Sequence, residues 1–133
     1  MKQLGLFFSL LFISLMSLAQ QDRLGKEADS LYKIKEYSTA AERYLAAAAK
    51  APLYVNPKGW VYNAACCYAL LNDKVNATKY LDQALYKHQY KNYDGLLADK
   101  DFGSLHNTAY WKKLERYIGK EKKKLGDPNK VQL

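Results

Sequence analysis

The sequence predicts an all-α fold made of two antiparallel helix hairpins followed by a helical cap, and three observations lead to it. Small and large apolar residues recur in one order at a shift of 37 residues: Ala28, Ala40 and Ala47 return as Ala65, Ala77 and Ala84, Leu31 as Tyr68, Tyr44 as Leu81. Turn-forming residues fall between and inside the two copies, with Pro52 and Pro57 bracketing a linker and Asn72-Asp73 dividing the second copy. The composition, 49% hydrophobic with only 3 Pro and 7 Gly in 133 residues, is that of one folded domain with a modest core.

The N-terminus is read apart from the fold. Met1-Lys2-Gln3 is a short basic start, and the apolar run from Leu4 to Leu18 closes on Ser17-Leu18-Ala19. That run is short for a bilayer span and ends in the small residues a signal peptidase accepts, so residues 1–19 are expected to be a signal peptide cut between Ala19 and Gln20. The segment has no Cys for a lipid anchor. Export is the expected localisation, periplasmic or secreted, with no integral membrane span after cleavage.

The first hairpin is assigned to residues 20–54, with helices near 21–34 and 37–50 stopped by Pro52. The second occupies 58–91, with helices near 59–71 and 74–87. Small residues at matched positions let two helices approach closely while the large ones fill the space beside them. Between the helices of the second hairpin, Asn72 tolerates the left-handed conformation that ends a helix and Asp73 can cap the next one. Residues 92–125 are read as a cap. Asp99 and Thr108 are candidate N-caps, and the segments Asp101-Phe102-Gly103-Ser104-Leu105 and Tyr110-Trp111-Lys112-Lys113-Leu114 place apolar residues three apart. Lys120 to Lys124 prolong the last helix, Gly126-Asp127-Pro128 end it, and residues 126–133 form a tail.

The second unit, Tyr62-Asn63-Ala64-Ala65-Cys66-Cys67-Tyr68-Ala69-Leu70-Leu71 through Ala77, Leu81 and Ala84, resembles the tetratricopeptide repeat family. The first unit matches less closely because Gly25 sits inside its opening helix, and the two together cover about half of the chain. The Asp-x-Asp-Phe…Leu…Trp…Leu pattern from Asp99 is similar to the closing segment that follows such repeats in many bacterial proteins. The resemblance implies that the first helix of each unit faces a concave groove holding an extended peptide or a helix of a partner. The groove residues it implies are Asp29, Tyr32, Lys33, Tyr62, Asn63, Cys66 and Leu70, with Tyr32, Tyr62 and Leu70 as an apolar floor left to solvent. Asn63 matches an Asn with which some members hold a peptide backbone or terminal carboxylate. Gly25 and Asp29 stand where a carboxylate-clamping member has Lys and Asn, so that clamp is not expected.

Catalytic motifs are missing from the sequence. His88 and His106, the 2 histidines, lie in unrelated segments with no acidic or Cys partner at triad or metal-ligand spacing, and are read as exposed loop residues. No Gly-rich phosphate loop, His-Glu-x-x-His or Gly-x-Ser-x-Gly occurs. A non-catalytic protein without metal or cofactor is therefore expected. Cys66 and Cys67 are neighbours on one helix, which turns their side chains about 100° apart and makes a bond between them strained, so they are read as small packing residues. Asn76-Ala77-Thr78 matches a glycosylation sequon but falls within a helix.

Formal charge is +8, and its excess lies at the C-terminus: residues 112–133 carry 8 basic and 3 acidic side chains. Arg is confined to Arg23, Arg43 and Arg116, which with export argues against nucleic acid. The expected partner is another polypeptide, with oligomeric state left open. The alternative is an anionic envelope polymer or surface bound through the Lys-rich helix. The 12 Tyr exceed the packing needs of two repeats, and some are expected to line a binding surface. Expression in an exporting bacterium should yield a chain beginning at Gln20 by intact mass; a product retaining Met1 in the membrane fraction would refute this processing.

Overall fold

The structure, a computed structural model, describes residues 2–126, with side chains from Phe12 onward apart from Ser14 and Ser17. The elements are α1 (Lys2–Lys33), α2 (Tyr37–Ala49), α3 (Lys58–Leu70), α4 (Lys74–Asp82) continuing into a π-helical turn (Gln83–Lys87), α5 (Tyr93–Ala98), a 3₁₀ turn (Lys100–Ser104) and α6 (Ala109–Leu125). The fold is all-α, and no strand occurs among the described residues. The expected stop at Asp127-Pro128 lies outside them. α1 runs without a break through Ala19-Gln20 into the first hairpin. No helix among the described residues is long and apolar enough to cross a membrane.

The sequence repeat is also a backbone repeat. Lys35 and Asn72, 37 residues apart, both adopt left-handed conformations, with φ of 66° and 58°. Around each, the same two bonds close the preceding helix: Glu36 N–H donates to Leu31 C=O at 3.0 Å and Lys35 N–H to Tyr32 C=O at 3.0 Å, while Asp73 N–H donates to Tyr68 C=O at 2.9 Å and Asn72 N–H to Ala69 C=O at 3.0 Å. These are Schellman terminations, which satisfy carbonyls that a helix end leaves orphaned. Asp73 then caps α4, accepting from Asn76 N–H at 3.0 Å. Asn76, of the apparent sequon, turns its own amide onto Asp73 at 2.7 Å.

Helix α3 is the centre of the molecule. Val61, Tyr62, Ala64, Ala65, Cys66, Cys67 and Ala69 are all buried, which explains why its sequence is apolar nearly all round. Ala64 and Cys67 pack with Ala28, Ala40, Ala41 and Tyr44 of the first hairpin. Ala65, Cys66 and Ala69 pack instead with Ala77, Leu81 and the cap residues Phe102, Leu105, Trp111, Leu114 and Ile118. Gly25 has a packing reason: a Cβ there would lie 2.8 Å from Nε1 of Trp60, so its absence lets α1 close on the start of α3.

The cap is nucleated where expected. The Asp99 side chain accepts from Asp101 N–H at 3.0 Å and Thr108 from Trp111 N–H at 3.2 Å. Ser104 ties the cap to the core by donating to Ala69 C=O at 2.8 Å. The helix expected near 74–87 has that extent with a change of winding, and the reading of the histidines is corrected. The helix expected to run to 87 changes at Gln83, where His88 N–H reaches back to Gln83 C=O at 3.0 Å and Tyr90 N–H to Ala84 C=O at 2.8 Å, because this wider turn keeps Ala84 and Leu85 buried while steering the chain towards the cap. Neither histidine is an exposed loop residue: His88 and His106 are both half-buried, and the ring of His106 packs 4.5 Å from that of Trp111.

Ala65 and Ala77 have no exposed surface, so Ala77→Arg should bury an unpaired charge and cost at least about 3 kcal/mol, enough to unfold most of so small a domain. Chemical denaturation monitored by circular dichroism checks this; a wild-type midpoint would contradict the packing of α4 on α3.

Candidate binding cavity

Residues one turn apart on α1 and on α3 point to the same side, and the cap turn closes over them. The result is a cavity of about 410 Å³. Helix α1 supplies Asp29, Tyr32 and Lys33, α2 supplies Tyr44, α3 supplies Tyr62, Asn63 and Cys66, and the cap turn supplies Asp99 and Asp101. A larger hollow of about 710 Å³ runs along Phe12, Ile13 and Met16 to Lys50. Phe12, Ile13, Met16 and Ala19 among its walls belong to the segment read from the sequence as a signal peptide.

Three tyrosine–aspartate pairs define the cavity walls. Tyr44 donates its hydroxyl to Asp29 Oδ1 at 2.7 Å, Tyr62 to Asp99 Oδ2 at 2.6 Å and Tyr32 to Asp101 Oδ2 at 2.5 Å. Each pair joins different elements, and a hydrogen bond to an ionised acceptor contributes about 1.5–3 kcal/mol. Tyr62 is further held by a stacked ring, Tyr90, at 4.3 Å and by the edge of Phe102 at 5.6 Å.

Six of the seven expected groove residues are brought together here: Asp29, Tyr32, Lys33, Tyr62, Asn63 and Cys66. Leu70 is not among them; it sits exposed at the C-terminal end of α3. The expectation that Tyr62 lies open to solvent is corrected. It is 7% exposed, because Tyr90 and Phe102 of the cap pack against its ring. Sequence reasoning missed Tyr44, Asp99 and Asp101. Asp99-x-Asp101 was visible as a capping pattern, but nothing local indicates that its second carboxylate meets Tyr32, 69 residues away.

Cys66 Sγ and one oxygen from each of Asp99 and Asp101 lie within 4.8 Å of one another, a spacing that three ligands of one cation could use. The hydrogen bonds argue for a structural cluster. Asp99 Oδ1 accepts from Asp101 N–H, and Oδ2 accepts from Tyr62 and, at 3.8 Å, from the Cys66 thiol. Burial first, then the charges of Asp99 and Asp101, push the Cys66 thiol far up and keep it neutral. Burial and then Asp101 push Cys67 up to about 12. Burial followed by the aspartate contacts raises Tyr32, Tyr44 and Tyr62 as well. Both cysteines are free thiols.

Compared with protein-family models, with curated proteins and with solved structures, the chain matches none.

The raised thiols and phenols set the alkaline limit of the fold. Below about pH 9 these groups are protonated in both states; above it the unfolded chain releases protons that the folded chain still holds, so stability falls as pH rises. The loss begins at the ordinary thiol value of 9.0 and, for Cys67, runs to about 12. Tm should therefore be level from neutrality to about pH 9 and then decline, with onset delayed to about pH 10 when both Cys66 and Cys67 are Ala. Thermal melts across that range, each variant referred to its own neutral value, decide it; a level Tm up to about pH 11 would contradict the burial of these groups.

Proposed function

We propose that this chain is a non-catalytic, exported module of the bacterial periplasm or cell envelope that binds another polypeptide in the cavity between α1, α3 and the cap turn. The observation that carries the reading is the convergence of Asp29, Tyr32, Lys33, Tyr62, Asn63 and Cys66 on one open cavity. Tyrosine and asparagine at such a surface offer apolar area and hydrogen bonding to a peptide together. A tetratricopeptide-like arrangement is supported by the two Schellman terminations 37 residues apart and by the small residues packed between consecutive helices. The cap turn narrows the groove, so the volume suits a side chain or two of an extended segment better than a whole helix. A non-catalytic role is supported by the chemistry of the lining: no histidine reaches it, and its thiol is held neutral.

A second reading has its own support. Lys112, Lys113, Lys120 and Lys123 stand exposed on α6, where they could contact an anionic envelope polymer.

One experiment separates the two. A photo-crosslinking residue placed at Asn63 or Lys33 should capture a discrete envelope polypeptide in cells, whereas the same residue at Lys79, exposed on α4, should capture none. If both positions capture nothing, and retention on envelope material is lost when the four exposed lysines become Gln, the polymer reading replaces the groove reading.

A further inference from the structure

The cavity is acidic in a basic protein. Asp29, Asp99 and Asp101 line it against the single ammonium of Lys33, although the chain as a whole carries +8. The ion pairs among the described residues, Lys26–Asp22, Arg43–Glu27, Lys122–Asp94 and Lys124–Glu121, involve none of the three. Even Lys33, one turn beyond Asp29 on the same helix, is not among these pairs. Tyrosine hydroxyls hold the three carboxylates instead. A phenol orients a carboxylate without cancelling its charge, so the negative field persists inside the cavity, where poorly polarisable walls concentrate it.

The hydrogen bonds also distinguish the aspartates. Asp99 has both oxygens occupied. Asp29 gives Oδ1 to Tyr44 and Asp101 gives Oδ2 to Tyr32. Asp29 Oδ2 and Asp101 Oδ1 accept no hydrogen bond among the described residues, and both carboxylates border the same open space. Tyr32, Tyr44 and Tyr62 line that space, and tyrosine offers apolar area to the aliphatic stem of an organic cation.

We infer that the cavity takes a cationic side chain of the partner polypeptide, the ammonium of a lysine or the guanidinium of an arginine, held by Asp29 and Asp101 with its aliphatic stem against Tyr32 and Tyr62. The inference rests on the groove reading above and adds the chemistry of the occupant. A volume of about 410 Å³ accommodates such a side chain together with its flanking backbone. A partner carboxylate would face three like charges. A divalent ion on Cys66, Asp99 and Asp101 would compete with the Tyr62 hydroxyl and the Cys66 thiol for Asp99 Oδ2.

The test titrates the isotopically labelled full chain with blocked pentapeptides that share a glycine backbone and carry lysine, arginine or norleucine at the centre. The backbone amide signals of Lys33, Asn63 and Asp101 report binding in the cavity. The lysine and arginine peptides should shift these signals, the norleucine peptide should bind about tenfold more weakly or worse, and salt at about 0.5 M should weaken the cationic peptides. Asp29→Asn and Asp101→Asn should each lower cationic-peptide affinity about tenfold, as expected for losing one charge-assisted contact. Asparagine still accepts the tyrosine hydroxyl, and circular dichroism checks the fold; should Asp101→Asn fail to fold, the exposed Asp29→Asn decides alone. Equal binding of the norleucine peptide at the cavity would overturn the inference and leave the groove reading standing. Displacement of the lysine peptide by micromolar Zn²⁺ or Ca²⁺ would also overturn it, by assigning the cation to a metal. No shift at the cavity with any peptide would remove the groove reading itself.

Discussion

The rest of the structure depends on how Tyr62 is held. Its ring stacks on Tyr90 and meets the edge of Phe102, and its hydroxyl ends on Asp99. One side chain of the central helix therefore fixes both the strand of chain returning from α4 and the turn that starts the cap. Two helix hairpins alone would leave the outer face of the second one, an apolar surface, open to water. Phe102, Leu105, Trp111, Leu114 and Ile118 bury that face. Because Asp99 is seated by Tyr62, the next carboxylate along, Asp101, is carried to Tyr32 of α1. The cavity and the cap are thus built by one chain of contacts, and a peptide bound in the cavity would press on the same groups that hold the cap down.

Tyrosine serves two ends in this chain. Part of its abundance is structural: Tyr68 stacks on Tyr80 at 5.4 Å, Tyr86 meets Tyr117 at 5.1 Å, and Tyr110 joins α6 to Asp82 at 2.7 Å. Three others, Tyr32, Tyr44 and Tyr62, shape the cavity. A phenol suits both tasks because its ring fills volume while its hydroxyl satisfies a buried or half-buried acceptor. Lysine or arginine in those positions would have neutralised the aspartates and removed the field that a cationic ligand would meet.

The charges of the molecule are segregated along the chain, and the fold turns that segregation into surfaces. Lysines of α6 remain exposed outside the core, with Lys122 paired to Asp94 and Lys124 to Glu121. The acidic residues of the cavity come from α1 and the cap turn, far apart in sequence. The excess of positive charge in the C-terminal segment therefore gives no hint of an acidic cavity elsewhere.

The sequence by itself determined the features governed by local physics. The 37-residue repeat of small residues placed the helix contacts, Asn72-Asp73 placed a left-handed turn followed by a cap, and Asp99 and Thr108 marked where the cap begins. Each of these depends on backbone preference or on a side chain reaching a few residues along. The common side of Asp29, Tyr32, Lys33, Asn63 and Cys66 was legible too, through the resemblance that aligned the two first helices. Only the tertiary structure decided that Tyr62 is buried, that Leu70 falls outside the cavity, and that Asp99 and Asp101 enter it. Those outcomes turn on where the cap docks, through contacts spanning 37 and 69 residues. No periodicity encodes such contacts, because they follow from the shapes of two surfaces once both have folded.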